Sequence, residues 1–154
     1  TTNVSLPSIA VVALAAGVVS GNELFLFGGG RHDPVKEVVD LNSAWAYDIV
    51  KGTWRNLRPY PFPVRGAAAV SLDPHHLLVG GGYGGAPAGF TAATFIYHTR
   101  PDAYTKAVEL PVAALVGLVV NGDFVYCLGG EDRMTHRTDI CARTTVKELL
   151  DAAR

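Results

Sequence analysis

Charge of either sign is scarce in this chain of 154 residues, and so are cysteine and methionine. Thirteen basic and fourteen acidic residues leave a formal net charge of −1, which removes any electrostatic case for a nucleic-acid partner or an anionic membrane. The most extended apolar run, residues 9–19, has no basic residue before it and is shorter than the roughly 20 residues a spanning helix needs. It reads as a strand. The five histidines form no metal pattern: His75 and His76 fall in an expected turn with no partner at zinc-ligand spacing. The glycine-rich stretch 83–89 lacks the following helix and the Lys-Ser/Thr pair of a phosphate loop, so it reads as a flexible blade loop. Cys127 and Cys141 fall on neighbouring expected strands, which leaves open one bridge in an oxidising compartment or two unpaired thiols.

What the chain does have is glycine and hydrophobic residues, 17 Gly and 49% apolar content with no low-complexity tract, the composition of a globular protein rich in buried strands and turns. The glycines are periodic. Leu24-Phe25-Leu26-Phe27 runs into Gly28-Gly29-Gly30, Leu77-Leu78-Val79 into Gly80-Gly81-Gly82, and Phe124-Val125-Tyr126-Cys127-Leu128 into Gly129-Gly130. The last glycines of these runs lie 52 and then 48 residues apart. Upstream of each run stands an apolar segment and then a turn: Ser20-Gly21-Asn22, Asp73-Pro74-His75 and Asn121-Gly122-Asp123. Gly and Asn adopt positive φ at little cost, so such turns favour antiparallel hairpins.

Each glycine run is followed by a variable loop and a third β-rich segment, residues 43–48, 91–97 and 138–142. A fourth short strand follows in the first two units, at 53–57 and 103–108. Four strands per unit at a period near 50 describe the blade of a β-propeller. The expected layout is an all-β chain with a blade at 9–58, a second at 62–110 and an incomplete third at 111–144. Thr145-Val146-Lys147-Glu148 is a capping box, so a short helix is expected to its C-terminal side, at 146–154. Residues 1–8 are expected to form an outer strand that closes the last blade. Propellers have about four to eight blades, so three blades form half of a six-bladed ring. The remaining blades come from the same longer polypeptide or from a second copy.

The double glycines, the Tyr47-Asp48 pair and Trp54 a few residues on make the chain resemble the kelch-repeat family of β-propellers. Within that class Gly130-Glu131, followed five residues later by Arg137-Thr138-Asp139, is similar to a segment of the bacterial N-acetylneuraminate epimerases, the sialic acid mutarotases. The resemblance implies a catalytic role for Glu131, as the acid and base of ring opening, and a substrate-binding role for Arg137, as the anchor of the sugar's carboxylate. It implies a small sugar acid as ligand, no cofactor, and a periplasmic location. Arg65, which resembles the arginine that opens the first strand of many kelch blades, and Arg31, in the loop after Gly30, are further candidates to line the same mouth. Asp139 is expected to be structural. The alternative to catalysis is a kelch module that binds a protein or glycan partner through its rim loops.

Overall fold

The computed structural model describes residues 12–153. Its first sheet contains β1 (Ala16–Ser20) and β2 (Glu23–Phe27). A separate hairpin follows, β3 (Gly30–Asp33) with β4 (Glu37–Asp40), and then β5 (Ala44–Asp48) and β6 (Thr53–Asn56) complete the sheet in the order β1-β2-β5-β6. The second sheet runs β7 (Ala68–Asp73), β8 (His76–Gly80), β9 (Thr94–His98) and β10 (Ala103–Lys106). The third contains β11 (Leu115–Asn121), β12 (Phe124–Arg133) and β13 (His136–Thr145), and the helix α1 (Val146–Ala152) follows. Every pairing within these sheets is antiparallel. The all-β class, the propeller blades and the short terminal helix stand as the sequence predicts.

The strands alternate faces because their side chains do. In β2, Phe25 and Phe27 are buried while Leu24 and Leu26, which alternate with them, are half-exposed. Phe25 and Phe27 turn toward the second sheet and share one core with Ala44, Ala46, Leu77, Val79 and Tyr97. The opposite face of the second sheet, with Val70, Leu78 and Ile96, shares another core with Val125 of the third sheet and Leu149 of α1. The sheets thus stack face to face. The first strand of the middle blade, β7, neighbours both β1 and β11, and Ser71 Oγ lies 3.2 Å from Ser20 Oγ across the first junction. That is the arrangement of blades around an axis.

Backbone hydrogen bonds from the glycine runs join each blade to the next. Gly29 N–H donates to the Val64 carbonyl at 2.7 Å, and Gly82 N–H to the Ala114 carbonyl at 2.9 Å. Both glycines have strongly positive φ, 102° and 105°, and each follows a glycine at 64° or 68°, a conformation open to glycine and costly for other residues. Gly130 at 118° completes the series. The structurally equivalent glycines are therefore Gly29, Gly82 and Gly130. Gly30, the last of the first run, is the residue after the pair, and the first repeat is offset by one from the sequence count.

The position of Gly66, at φ 64°, is occupied in the first blade by Leu14 at φ 58°. Leu14 is 64% exposed, so its side chain gives little packing in return for a left-handed backbone that costs a non-glycine residue about 1–2 kcal/mol. Leu14→Gly is expected to raise the midpoint of thermal unfolding by about 2–4 °C, allowing for the unfolded-state entropy of glycine. A lower midpoint would show that Leu14 packs in a way its exposure does not reveal.

Several details differ from the sequence reading. The expected loop after Gly30 is the ordered hairpin β3–β4. In the third blade the glycine pair makes no turn: β12 continues through Gly129 and Gly130 with register shifts on either side and reverses only at Thr135, where φ is 64°. Arg137 and Asp139 consequently lie inside β13, which begins at His136, before the expected 138. Cys127 pairs in register with Ala142, and Leu128 with Cys141. The two thiols lie one residue out of step and both are free, Cys127 buried and Cys141 exposed. Helix α1 starts as expected: Glu148 N–H donates to Thr145 Oγ1 at 3.1 Å and Thr145 N–H to Glu148 Oε2 at 2.9 Å. It ends at Ala152, with Ala153 as its C-cap. The expected outer strand at 1–8 lies outside the described residues.

Candidate functional site

The glycine pairs set the register of one rim. Immediately after each pair, a residue bridges antiparallel to the chain that leads into the blade's first strand or begins it: Gly30 with Ala13, Tyr83 with Arg65, and Glu131 with Leu115. Three positions thus repeat around one mouth of the arc, and the side chains on them differ blade by blade. The middle one carries the only charge at the inner position, Arg65.

Arg65 is partly buried, and its Nη1 donates to Asp40 Oδ1 in an ion pair whose side chains are 26% and 10% exposed. Its guanidinium also lies over the Tyr83 ring, 4.7 Å from the centroid, a cation–π contact that strengthens as water is excluded. Tyr83 is fixed in turn by the Phe90 ring at 5.1 Å. Asp40 arrives from the end of β4, and its hairpin is tightened by local bonds: Asp33 Oδ1 accepts the Val35 and Lys36 amides, both at 2.9 Å. These amide bonds, from Lys36 above all, hold the Asp33 carboxyl below its usual range. His32 Nδ1 lies 3.0 Å from the Glu37 carbonyl oxygen.

Arg65 separates two open depressions. The larger, about 480 Å³, is polar and has Lys36, Glu37, Asp40 and Tyr83 in its wall. The smaller, about 280 Å³, is bounded by Gly30, Arg31, His32 and Glu37. The structure therefore brings Arg65 and Arg31 to one region of the rim, as the sequence suggested. Asp40, the partner that orients Arg65, escaped the sequence reading. Its one signal is the Asp33-Pro34 turn and the Val38-Val39 pair, which together encode the hairpin.

Glu131 and Arg137 meet differently. They are directly paired residues of β12 and β13, and Arg137 Nη1 lies 3.2 Å from Glu131 Oε2. Glu131 Oε1 also accepts the Thr135 amide at 2.9 Å. The Arg137 side chain is 66% exposed and that of Glu131 22%. Asp132 and His136 pair one step further along the hairpin, and that bond holds the Asp132 carboxyl low. Neither Glu131 nor Arg137 borders the depressions beside Arg65. Glu131 and Arg137 thus pair with each other, on a hairpin of their own at the third blade's share of the rim.

Among the described residues no cluster of three or more His, Cys, Asp and Glu could hold a metal ion, and no helix is long and apolar enough to cross a membrane.

The Kelch motif family matches residues 13–59, the whole of the first blade. No curated protein matches the sequence. The solved structure of YjhT superposes with a TM-score of 0.77 at 16% sequence identity, over 88% of this chain and 50% of that one. The chain thus spans half the length of the structure it matches, and at that identity the likeness speaks of fold alone. The glycine-stitched blades, the strand order and the structural likeness lead to one assignment of fold: this chain forms three blades of a β-propeller, the first of which carries a Kelch motif.

Proposed function

We propose that this chain forms part of the mouth of a sugar mutarotase, acting on N-acetylneuraminate or a related acidic sugar. The observation that carries this reading is the placement of Glu131. It occupies on the third blade the backbone position that Tyr83 occupies beside Arg65 on the second, which supports assigning the carboxylate that the family resemblance singles out to the same rim as the partly buried arginine.

The chemistry needs one proton carrier and one anion anchor. Ring opening transfers the proton of the anomeric hydroxyl to a carboxylate as the bond between the anomeric carbon and the ring oxygen breaks. The ring oxygen receives a proton, and reclosure on the other face reverses each transfer. Glu131 fits the carrier's role. Arg137 already holds one carboxylate, and an ion pair this exposed is worth about 1 kcal/mol or less. A substrate carboxylate can therefore replace Glu131 on Arg137 at little cost, through a charge-assisted pair, and release Glu131 toward the sugar. Arg65 and Arg31 supply further positive charge at the mouth.

Exchange between anomers, followed by NMR with N-acetylneuraminate, tests this. The intact protein is expected to accelerate exchange, and Glu131→Gln to remove about 10²–10⁴-fold of the enhancement. Exchange at the spontaneous rate with intact protein overturns the reading for that sugar. A second reading, a non-catalytic module that binds a glycan or protein through its rim, is favoured by the satisfied state of Glu131, which both Arg137 and the Thr135 amide already engage. Binding of the sugar acid by calorimetry without acceleration of exchange would support it.

A further inference from the structure

Arg65 and Asp40 come from different blades: Asp40 ends β4 in the first, and Arg65 stands before β7 at the entry to the second. One hydrogen bond joins them, from Arg65 Nη1 to Asp40 Oδ1. That leaves Arg65 Nε and Nη2 as donors, and Asp40 Oδ2 as an acceptor, with no hydrogen bond to any described residue. Both side chains border the polar depression of about 480 Å³, a size within the roughly 300–1,000 Å³ of small-molecule sites. Their positions are set before any ligand arrives. The Tyr83 ring centroid lies 4.7 Å from the guanidinium carbon, and the Phe90 ring fixes Tyr83 in turn. Gly85 bounds the other side: its φ is 71°, and an added Cβ would stand 2.8 Å from Asp40 Oδ2. The loop backbone therefore passes close to the carboxylate, and the lack of a side chain keeps the space beside that oxygen open.

We propose that this depression is a separate binding site for an uncharged carbohydrate, held by two neighbouring hydroxyls on the Arg65–Asp40 pair. A guanidinium edge beside a carboxylate oxygen presents a donor and an acceptor at fixed spacing. A hydroxyl both donates and accepts, so hydroxyls on adjacent carbons satisfy the two together, one accepting from Arg65 and the next donating to Asp40. Bonds of this kind, with one partner charged, are the stronger ones. Because Tyr83 and Asp40 already hold the guanidinium, little side-chain freedom is lost on binding. Charge selects the ligand class. The wall carries Lys36 and Arg65 against Glu37 and Asp40, a balance that gives a net anion or cation little advantage over a neutral polyol. The Tyr83 ring, in the same wall, offers apolar surface to the C–H groups between hydroxyls. Glu131 and Arg137 border neither depression, so the site holds under either reading of the chain's activity.

Titration with the methyl glycosides of glucose, galactose and mannose, followed by NMR at the backbone amides of Tyr83, Gly84 and Gly85, tests the site. These sugars have a blocked anomeric carbon, so the result is independent of whether the protein accelerates anomer exchange. At least one is expected to shift those amides saturably with a Kd on the order of 1 mM, the affinity suited to a ligand of that size. Asp40→Asn is expected to weaken binding about tenfold by removing the charged acceptor. Gly85→Ala should weaken it as much by filling the space beside Asp40 Oδ2, and amides outside the rim report that both variants are folded. Glu131→Gln should leave the affinity unchanged. Methyl glucuronide, the glucoside ring with a carboxylate added, is expected to bind no tighter than the glucoside. Three results each overturn the proposal: no saturable shift with any of the three glycosides, binding that survives both Asp40→Asn and Gly85→Ala, or binding lost in Glu131→Gln. A gain of about tenfold for the glucuronide would make this an anion site instead and overturn the assignment of ligand class.

Discussion

Tyr60→Ala is expected to cost about 3–5 kcal/mol of stability, lowering the thermal midpoint by roughly 10 °C at fixed protein concentration. Tyr60 lies on the connection between the first and second blades and is 1% exposed. Its ring meets Phe62, Phe95 and Tyr104 edge-on at 5.2, 5.4 and 5.7 Å, contacts that add to area burial. The second junction shows what a smaller residue does there. Leu110 takes the place of Tyr60, as the matching amide bonds to Asn42 and Ala92 show, and Ala107 that of Leu57. A cleft of about 280 Å³ opens at that junction between Leu110, Leu118 and Val125, with Leu149 of α1 in its wall. Truncating Tyr60 would create a void at the first junction, where no helix closes it. Tyr60→Phe separates ring from hydroxyl. The Tyr60 hydroxyl finds no partner among the described residues, and burial pushes its phenol pKa upward, so its removal should be neutral or stabilising. Thermal or urea unfolding of both variants checks the pair. A loss in Tyr60→Phe comparable to that in Tyr60→Ala would refute the packing account.

Gly82→Ala is expected to cost about 3 kcal/mol or more, combining backbone strain with overpacking. Its φ is 105°, and an added Cβ would lie 2.6 Å from Val64 Cγ2, 2.9 Å from the Arg65 carbonyl oxygen and 3.0 Å from the Ala67 amide nitrogen. Two of the three obstacles are backbone and cannot rotate away. The same amide makes the bond to Ala114 that joins the second blade to the third, so the damage should spread to the junction. Gly21→Ala is the control: its φ is 58° with nothing within 4 Å of the added carbon, and the strain alone should cost about 1 kcal/mol. Equal losses in urea unfolding would show that positive φ, rather than the approach of neighbouring chain, makes Gly82 a glycine.

Most of the fold was legible because its signals are local. The turns at Gly21-Asn22 and Gly122-Asp123, the alternation of Phe25 and Phe27, and the Thr145 to Glu148 capping box each act within a few residues. The hairpin β3–β4 was missed because its sequence, with Pro34 and several charges, reads as a loop. It persists because Asp33 accepts two amides across its turn and Asp40 meets Arg65 of the next blade. The candidate site could be named from sequence only as separate residues, without their geometry. Glu131 and Arg137 were singled out by resemblance, while their pairing was not legible: two register shifts carry the strands past Gly129 and Gly130 and make the two residues cross-strand neighbours.

The sequence by itself determined the propeller class, the number of blades and the period of their glycine runs, since period and turn chemistry need no distant partner. It also put Glu131 directly after a glycine pair. Only the tertiary structure decided that Gly29, not Gly30, is the equivalent of Gly82 and Gly130, because equivalence is defined by a hydrogen bond to the next blade. It alone decided that Arg65 is held by Asp40 and Tyr83, which approach from two different blades, and that Val119 and Leu128 lie bare. Burial depends on what stands opposite a face, and no stretch of sequence records that.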